Sequence, residues 1–335
     1  MTSGSAPTPS TPVKPPGGLR SLLLGKARAR PRRRWVDYAF IVAFVLLLVI
    51  TATVSDVFFT QRNLTNLGRQ AVTNGLLSLG MLVVVLTGGI DLSVGSVVAL
   101  AAIMVSGMSK GGLPLSLAIL ICLVVGVLTG AVNGFFIARF KLQSFIVTLA
   151  TMGAIRGLVF VYSDIPITPS DPAFRAVLGA GFVGPFPVSA LIMLACYPIV
   201  WFFLNRAKSG RAIVAIGGNE EAVRLAGISV TGHIFLAYMI AGLFSALAGV
   251  MLASRLGIAQ PSVGAGFELD AIAATVIGGA VLGGGGGSVF GTLAGVVALG
   301  MIDNLLNLFN VQSYYQQIFK GVIILVAVLA RRKQH

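Results

Sequence analysis

Charge is scarce in this sequence, and acidic charge scarcest: 335 residues carry 10 Asp and Glu against 24 Lys and Arg, and only 10% of all residues are charged. With 56% of residues hydrophobic, there is too little polar surface to clothe a soluble globule. This excludes an ordinary soluble domain and points to a polytopic membrane protein. Cysteine is nearly missing. Cys122 and Cys196 lie far apart inside apolar runs, which excludes a disulfide framework or a paired metal motif. His233 and His335 have no Cys, Asp or Glu at ligand spacing, so no metal is expected. No Ser-His-Asp or paired-carboxylate arrangement emerges either, which leaves a membrane enzyme without support. The net charge of +14 would suggest nucleic acid in a soluble chain. Here the positive residues gather at the ends and in short loops between apolar stretches, so they read as topology signals, and no nucleic-acid partner is expected.

What is present is apolar sequence broken at intervals. Residues 1–34 begin as a Ser/Thr/Pro stretch and end in "GKARARPRRR", a composition that cannot bury enough apolar area to fold, and are expected to form a disordered basic cytoplasmic tail. Residues 35–335 are expected to be one transmembrane domain. Apolar stretches of about 17–25 residues place ten segments, near 36–54, 68–87, 94–108, 115–138, 145–162, 187–204, 232–254, 268–282, 287–307 and 314–330. The third and eighth are short and adjoin Gly-rich breaks, as discontinuous helices do. The predicted fold is therefore all-α, with about ten transmembrane helices.

Orientation follows from Lys and Arg. An even number of spans puts both ends on one side, and the basic tail and terminal "RRK" mark that side as the cytoplasm. Inner loops would hold Arg139, Lys141, Arg206, Lys208, Arg211 and Arg224 besides the terminal cluster; outer loops would hold Arg62, Arg69, Lys110, Arg175 and Arg255. The halves also echo each other. "GVLTGAV" from Gly126 and "RGLV" from Arg156 return as "GTLAGVV" from Gly291 and "KGVI" from Lys320, with "DL" at Asp91 matching "EL" at Glu268 and "LQS" from Leu142 matching "VQS" from Val311. About five spans separate equivalent points, so the halves would form an inverted repeat; the alternative is chance similarity of apolar sequence.

Two stretches carry more. "LGGGGGSVFG", residues 282–291, has no Lys before its Ser to reach a phosphate, so it is not a nucleotide loop, and its glycines permit a tight turn and close helix approach. The longest inner loop, 205–231, contains Asn219 as a good N-cap, Glu220 and Glu221 in the first turn, and Gly227 where a left-handed C-terminal residue belongs. A short helix over 220–226 is predicted, with Ala222, Leu225 and Ala226 as a small apolar face that docks either on its own membrane domain or on a cytoplasmic partner.

At this point the sequence resembles a known family. "GGIDLSVGSVVAL", "GRAIVAIGGNEEAVRLAGI", "AQPSVGAGFELDAIAATVIGG" and "SYYQQIFKGVIILVAVL" together look like the permease subunit of bacterial ribose-type sugar ABC importers, over nearly all of residues 58–329. The resemblance implies a permease of the inner membrane, working as a homodimer or paired with a second permease. It implies a cytoplasmic two-domain ATPase that carries the ATP and Mg, an extracytoplasmic sugar-binding protein, and no cofactor in this chain. Within such a family the loop helix resembles the element that couples the permease to the ATPase; here Glu221 stands where an Ala is usual.

The intramembrane polar residues are read against that background. An ionisable group at a helix break is costly unless it faces protein or water. Asp91 and Ser93 are expected first as caps for the following half-helix, and secondarily as lining for a sugar path. Glu268 and Asp270 are expected to cap the eighth segment from the outer side. Arg156 and Lys320 are expected to snorkel outward, with contact at a gate as the alternative. Asp303, Asn304 and Asn307, near the end of the ninth segment, could offer hydrogen bonds to a polyol. The expected function is an ATP-driven importer permease for a monosaccharide or similar polyol, with an ion-coupled secondary transporter using Asp91 or Asp303 as the alternative.

Overall fold

The computed structural model describes residues 33–332, so the tail expected over 1–34 lies outside the described residues except for Arg33 and Arg34, which already belong to a helix. Twelve α-helices follow in order among the described residues: α1 (Arg33–Val54), α2 (Gln61–Leu86), α3 (Val94–Lys110), α4 (Leu115–Phe140), α5 (Ser144–Tyr162), α6 (Val188–Arg206), α7 (Lys208–Gly218), α8 (Glu220–Leu225), α9 (Val230–Leu256), α10 (Phe267–Ile277), α11 (Val289–Leu308) and α12 (Ser313–Arg332). Between α5 and α6 lie a π-helical turn, Phe174–Gly179, and a minimal hairpin of β1 (Phe182–Val183) and β2 (Phe186–Pro187).

Each of the ten predicted segments coincides with a helix. Six helices among the described residues are long and apolar enough to cross a membrane: α2, α4, α5, α6, α9 and α11. The all-α, multi-pass reading therefore holds, and the two segments expected to be short are short, with 17 residues in α3 and 11 in α10. The loop 205–231 departs from expectation. It holds α7 as well as α8, because Ala212, Ile213 and Ile216 share one face of an 11-residue helix and are buried.

Helix starts are set by local chemistry. Thr60, Ser229 and Ser288 each accept a hydrogen bond from the backbone N–H three residues on, which satisfies a donor that the first turn leaves free. At the far end of α9, Gly257 takes φ +67° and closes the helix.

Within residues 46–335, α2 is buried all round from Ala71 to Leu86 apart from partly exposed Asn74, and α9 runs against α2, α3 and α4. The α4–α9 pairing is the most extensive in the molecule. Gly126, Gly130 and Gly134, one helical turn apart on α4, place backbone on Gly242, Tyr238 and Phe235 of α9. Lipid is as apolar as the side chains, so helices gain little from hiding apolar area and depend on such close approach. The opposite face of α4, with Leu120, Val124, Leu128 and Val132, is exposed, as a lipid-facing surface would be. The repeated block in the second half serves the same purpose with a different neighbour: Gly291 and Gly295 of α11 lie on Gly278 and Ala274 of α10.

The short helices leave irregular backbone inside the bundle. The break at 87–93 precedes α3, and the loop 257–266 precedes α10. The start of α3, just past that break, meets the 257–266 loop, since a Cβ on Gly95 would overlap the Gly264 carbonyl and one on Gly264 would overlap the Gly95 carbonyl. Gly264, at φ +84°, has a second reason to be glycine.

Gly242→Ala is expected to destabilise the protein by about 1–3 kcal/mol, because its Cβ would collide with the Gly126 backbone. Gly153→Ala, with nothing within 4 Å of the added atom, is expected to be neutral or to gain about 0.5–1 kcal/mol from helix preference. Thermal unfolding of the two variants in the same detergent gives the comparison.

Candidate functional site

The α7–α8 element shows how a short loop becomes a rigid projection. Asn219 is extended at φ −163° and its side chain accepts from the Ala222 N–H at 2.9 Å. Glu220 and Glu221 sit where the helix dipole favours negative charge. Gly227, at φ +76°, donates its N–H to the Arg224 carbonyl, and Ile228 donates to the Val223 carbonyl, which closes the helix at its far end. Arg224 Nε donates to Glu221 Oε2 at 3.0 Å, which, with the nearby positive charge of Lys141, holds the Glu221 carboxyl below its usual range. Both partners are exposed, so the pair shapes the surface more than it stabilises the fold.

Six residues cannot hold a helix alone in water; Val223, buried, anchors α8 to the bundle. Ala222, Leu225 and Ala226 point the other way. Leu225 is 78% exposed, more than nearly every other large apolar side chain in the described residues. Of the two docking surfaces expected for that face, the chain's own membrane domain does not cover it in this structure.

Asp91 lies in the break before α3 with 1% of its surface exposed. Its Oδ1 accepts from the Ser93 N–H at 2.9 Å and from the Ser93 hydroxyl at 2.6 Å, and Asn133 of α4 donates to that hydroxyl at 2.9 Å. Asp91 therefore ties the turn that starts α3, while the Ser93 side chain makes no cap bond of its own and links Asp91 to Asn133. The Ile90 N–H is taken by Ser144 Oγ at the start of α5. Asn133 did not stand out in the sequence, although a lone Asn inside an apolar run is the available signal; its Oδ1 is buried without a hydrogen-bond partner among the described residues.

Arg156 and Lys320 correct an expectation. Neither stem runs outward. Arg156 donates from one terminal nitrogen to the carbonyls of Pro261 and Val263, at 2.9 and 2.7 Å, and so pins the 257–266 loop. Lys320 Nζ bridges Asp270 Oδ2 at 2.9 Å and Asp303 Oδ2 at 3.0 Å, joining α12, α10 and α11. The physical reason is that a cation inside the bundle is better solvated by fixed carboxylates and carbonyls than by a long reach to the surface. Asp270 consequently does not cap α10. Glu268, in the first turn, reaches back to accept from the N–H of the capping residue Gly266 at 3.1 Å.

Asp303, Asn304 and Asn307 are brought near one another, yet their polar atoms are largely spent within the chain. Asn304 exchanges two amide hydrogen bonds with Asn63 at 2.8 and 3.0 Å, and Asn307 accepts from Gln316. Asp91 and Ser93 belong to a separate hydrogen-bonded cluster. Asn63 and Gln316 were not legible as partners because they lie on other helices.

Lys320→Met would strand two carboxylates in the bundle and is expected to cost about 3–5 kcal/mol. Adding Asp270→Asn and Asp303→Asn to that variant is expected to recover most of the loss in melting temperature, since no uncompensated charge then remains.

The geometry can be set beside known proteins. The family model described as "Branched-chain amino acid transport system / permease component" matches residues 63–328. The ribose import permease protein of Haemophilus influenzae is 43% identical over 299 residues, covering 88% of this chain and 93% of that protein. The protein of the same name in Bacillus subtilis is 44% identical over 291 residues, 86% of this chain and 90% of its own. The L-arabinose transport system permease protein of Escherichia coli is 38% identical over 301 residues, covering 90% and 92%. No solved structure matches. A buried, glycine-packed helical bundle with one short charged helix held out from it, matched over most of its length by permease components, is a membrane permease, and the chain belongs to the branched-chain amino acid transport system permease family.

Proposed function

We propose that this chain is the membrane subunit of an ATP-driven importer for ribose or a closely related monosaccharide. The similarity to ribose and arabinose permeases over about nine-tenths of each relative supports the substrate class. The single observation that carries the drive mechanism is α8: a capped, charged, solvent-facing helix whose Leu225 is left exposed by the described residues.

In the proposed assembly two permease chains sit in a bacterial inner membrane with both termini in the cytoplasm, as the Lys and Arg bias suggests. A two-domain ATPase, which holds ATP and Mg, receives α8 on the cytoplasmic side. An extracytoplasmic binding protein delivers the sugar, and selectivity resides there. The permease itself catalyses no reaction. Its work is to open a path to each side in turn as the ATPase closes and reopens.

The ion-coupled alternative is not supported. Asp303 is bonded to Lys320, Asp91 is committed to the turn at α3, and the relatives above are permeases of import and transport systems by name.

Leu225→Asp tests the drive mechanism. Co-expressed with its ATPase, the wild-type chain is expected to co-purify as a complex, whereas Leu225→Asp is expected to purify alone with an unchanged melting temperature, because Leu225 is exposed among the described residues. Retention of the ATPase by the variant would remove α8 from the coupling role.

A further inference from the structure

Three chain segments touch backbone to backbone directly behind α8. They are the end of α2 with its break (Leu86 to Gly88), the end of α7 (Gly217 and Gly218), and the tip of the Gly-rich loop between α10 and α11 (Gly283 to Gly285). The Gly285 N–H donates to the Leu86 carbonyl at 3.0 Å. A Cβ on Gly217 would overlap that same carbonyl and stand 2.8 Å from Gly284 Cα. A Cβ on Gly284 would stand 2.6 Å from Gly217 Cα and 2.9 Å from the Gly88 nitrogen, and one on Gly285 would stand 2.7 Å from the Gly218 nitrogen. Gly88, Gly284 and Gly285 have φ of +87°, +90° and +71°.

Each segment leads somewhere. From Gly218 the chain passes through Asn219 into α8. From Gly88 it passes into the break that Asp91 holds, and so into α3. The Gly-rich loop leads into α11. That loop is stiff, because Val281 donates to the Gly286 carbonyl at 2.8 Å and Gly284 to the Val281 carbonyl at 2.9 Å. With main chain in contact on all three sides there is no side chain to deform, so a displacement of the α7 end displaces its neighbours.

We propose that Gly217, in contact with Leu86 and Gly284, is a positioning residue of the transport cycle: the joint through which movement of α8 reaches the break before α3 and the loop before α11. This rests on the reading of α8 as the ATPase contact. The neighbouring position supplies an internal control, since a Cβ on Gly218 meets nothing within 4 Å although Gly218 lies closer to α8.

Wild type, Gly217→Ala and Gly218→Ala would be reconstituted with the ATPase and binding protein, and sugar uptake, ATP hydrolysis and ATPase retention read together. Gly217→Ala is expected to keep its ATPase and hydrolyse ATP, but to move fewer sugars per ATP by about 5- to 150-fold, the usual span of a coupling between two sites. Gly218→Ala is expected to match wild type. Packing lost for merely structural reasons would lower melting temperature and yield together with hydrolysis and would leave the ratio of uptake to hydrolysis unchanged.

Should Gly217→Ala fail to fold, the pair Gly218→Cys and Gly283→Cys, in a Cys122→Ala, Cys196→Ala background, carries the test. Joining the two cysteines with a short bismaleimide is expected to stop uptake while hydrolysis continues. Uptake per ATP equal to wild type in Gly217→Ala, or equal before and after cross-linking, overturns the joint. Wild type that never retains an ATPase overturns the reading beneath it, an outcome distinct from a coupled wild type with an indifferent Gly217→Ala.

Discussion

Main chain meeting main chain at glycine is the constraint on which the rest of this structure depends. In an apolar solvent helices gain little by hiding apolar faces from one another, and packing has to come from close approach. The chain concentrates its approaches where Cβ atoms are missing: α4 on α9 at Gly126 and Gly242, α10 on α11 at Gly278 and Gly291, and the α3 start on the 257–266 loop at Gly95 and Gly264. The same device serves two purposes. Between long helices it builds a rigid bundle, and around the two short helices it lets irregular backbone lie inside that bundle without a void.

Irregular backbone within a membrane protein exposes polar groups that must find partners in the chain. Asp91 supplies them for the turn before α3, and Arg156 supplies them for the loop before α10. The Lys320 bridge to Asp270 and Asp303 fastens the last three helices to one another. The few charges inside the bundle are thus used for holding breaks and joining helices, while the α7–α8 element carries its charges outward. The division fits a subunit that changes shape around a neutral cargo while the energy arrives from outside.

Much of this was legible in the sequence. Ten apolar segments fell on ten helices because hydropathy and Gly/Pro breaks are local properties, and α8 was legible because Asn219, the two glutamates and Gly227 are a complete set of end signals. Helix α7 was missed: its apolar face is only three residues wide and it ends in two glycines. Lys320 and Arg156 were misread for another reason. Most of their partners, Asp270, Pro261 and Val263, lie 50 to 107 residues away in sequence, and all of them lie on other elements that only the tertiary fold brings together. The glycines were visible as glycines, whereas the backbone each one faces was not.

The most direct test of the account is uptake of labelled ribose by proteoliposomes holding the permease, its ATPase and its binding protein, with ATP supplied to the ATPase side and ionophores abolishing every ion gradient. Accumulation that requires ATP and is indifferent to the ionophores is the predicted result. Uptake that proceeds without the ATPase and collapses when the ion gradients are removed would contradict it.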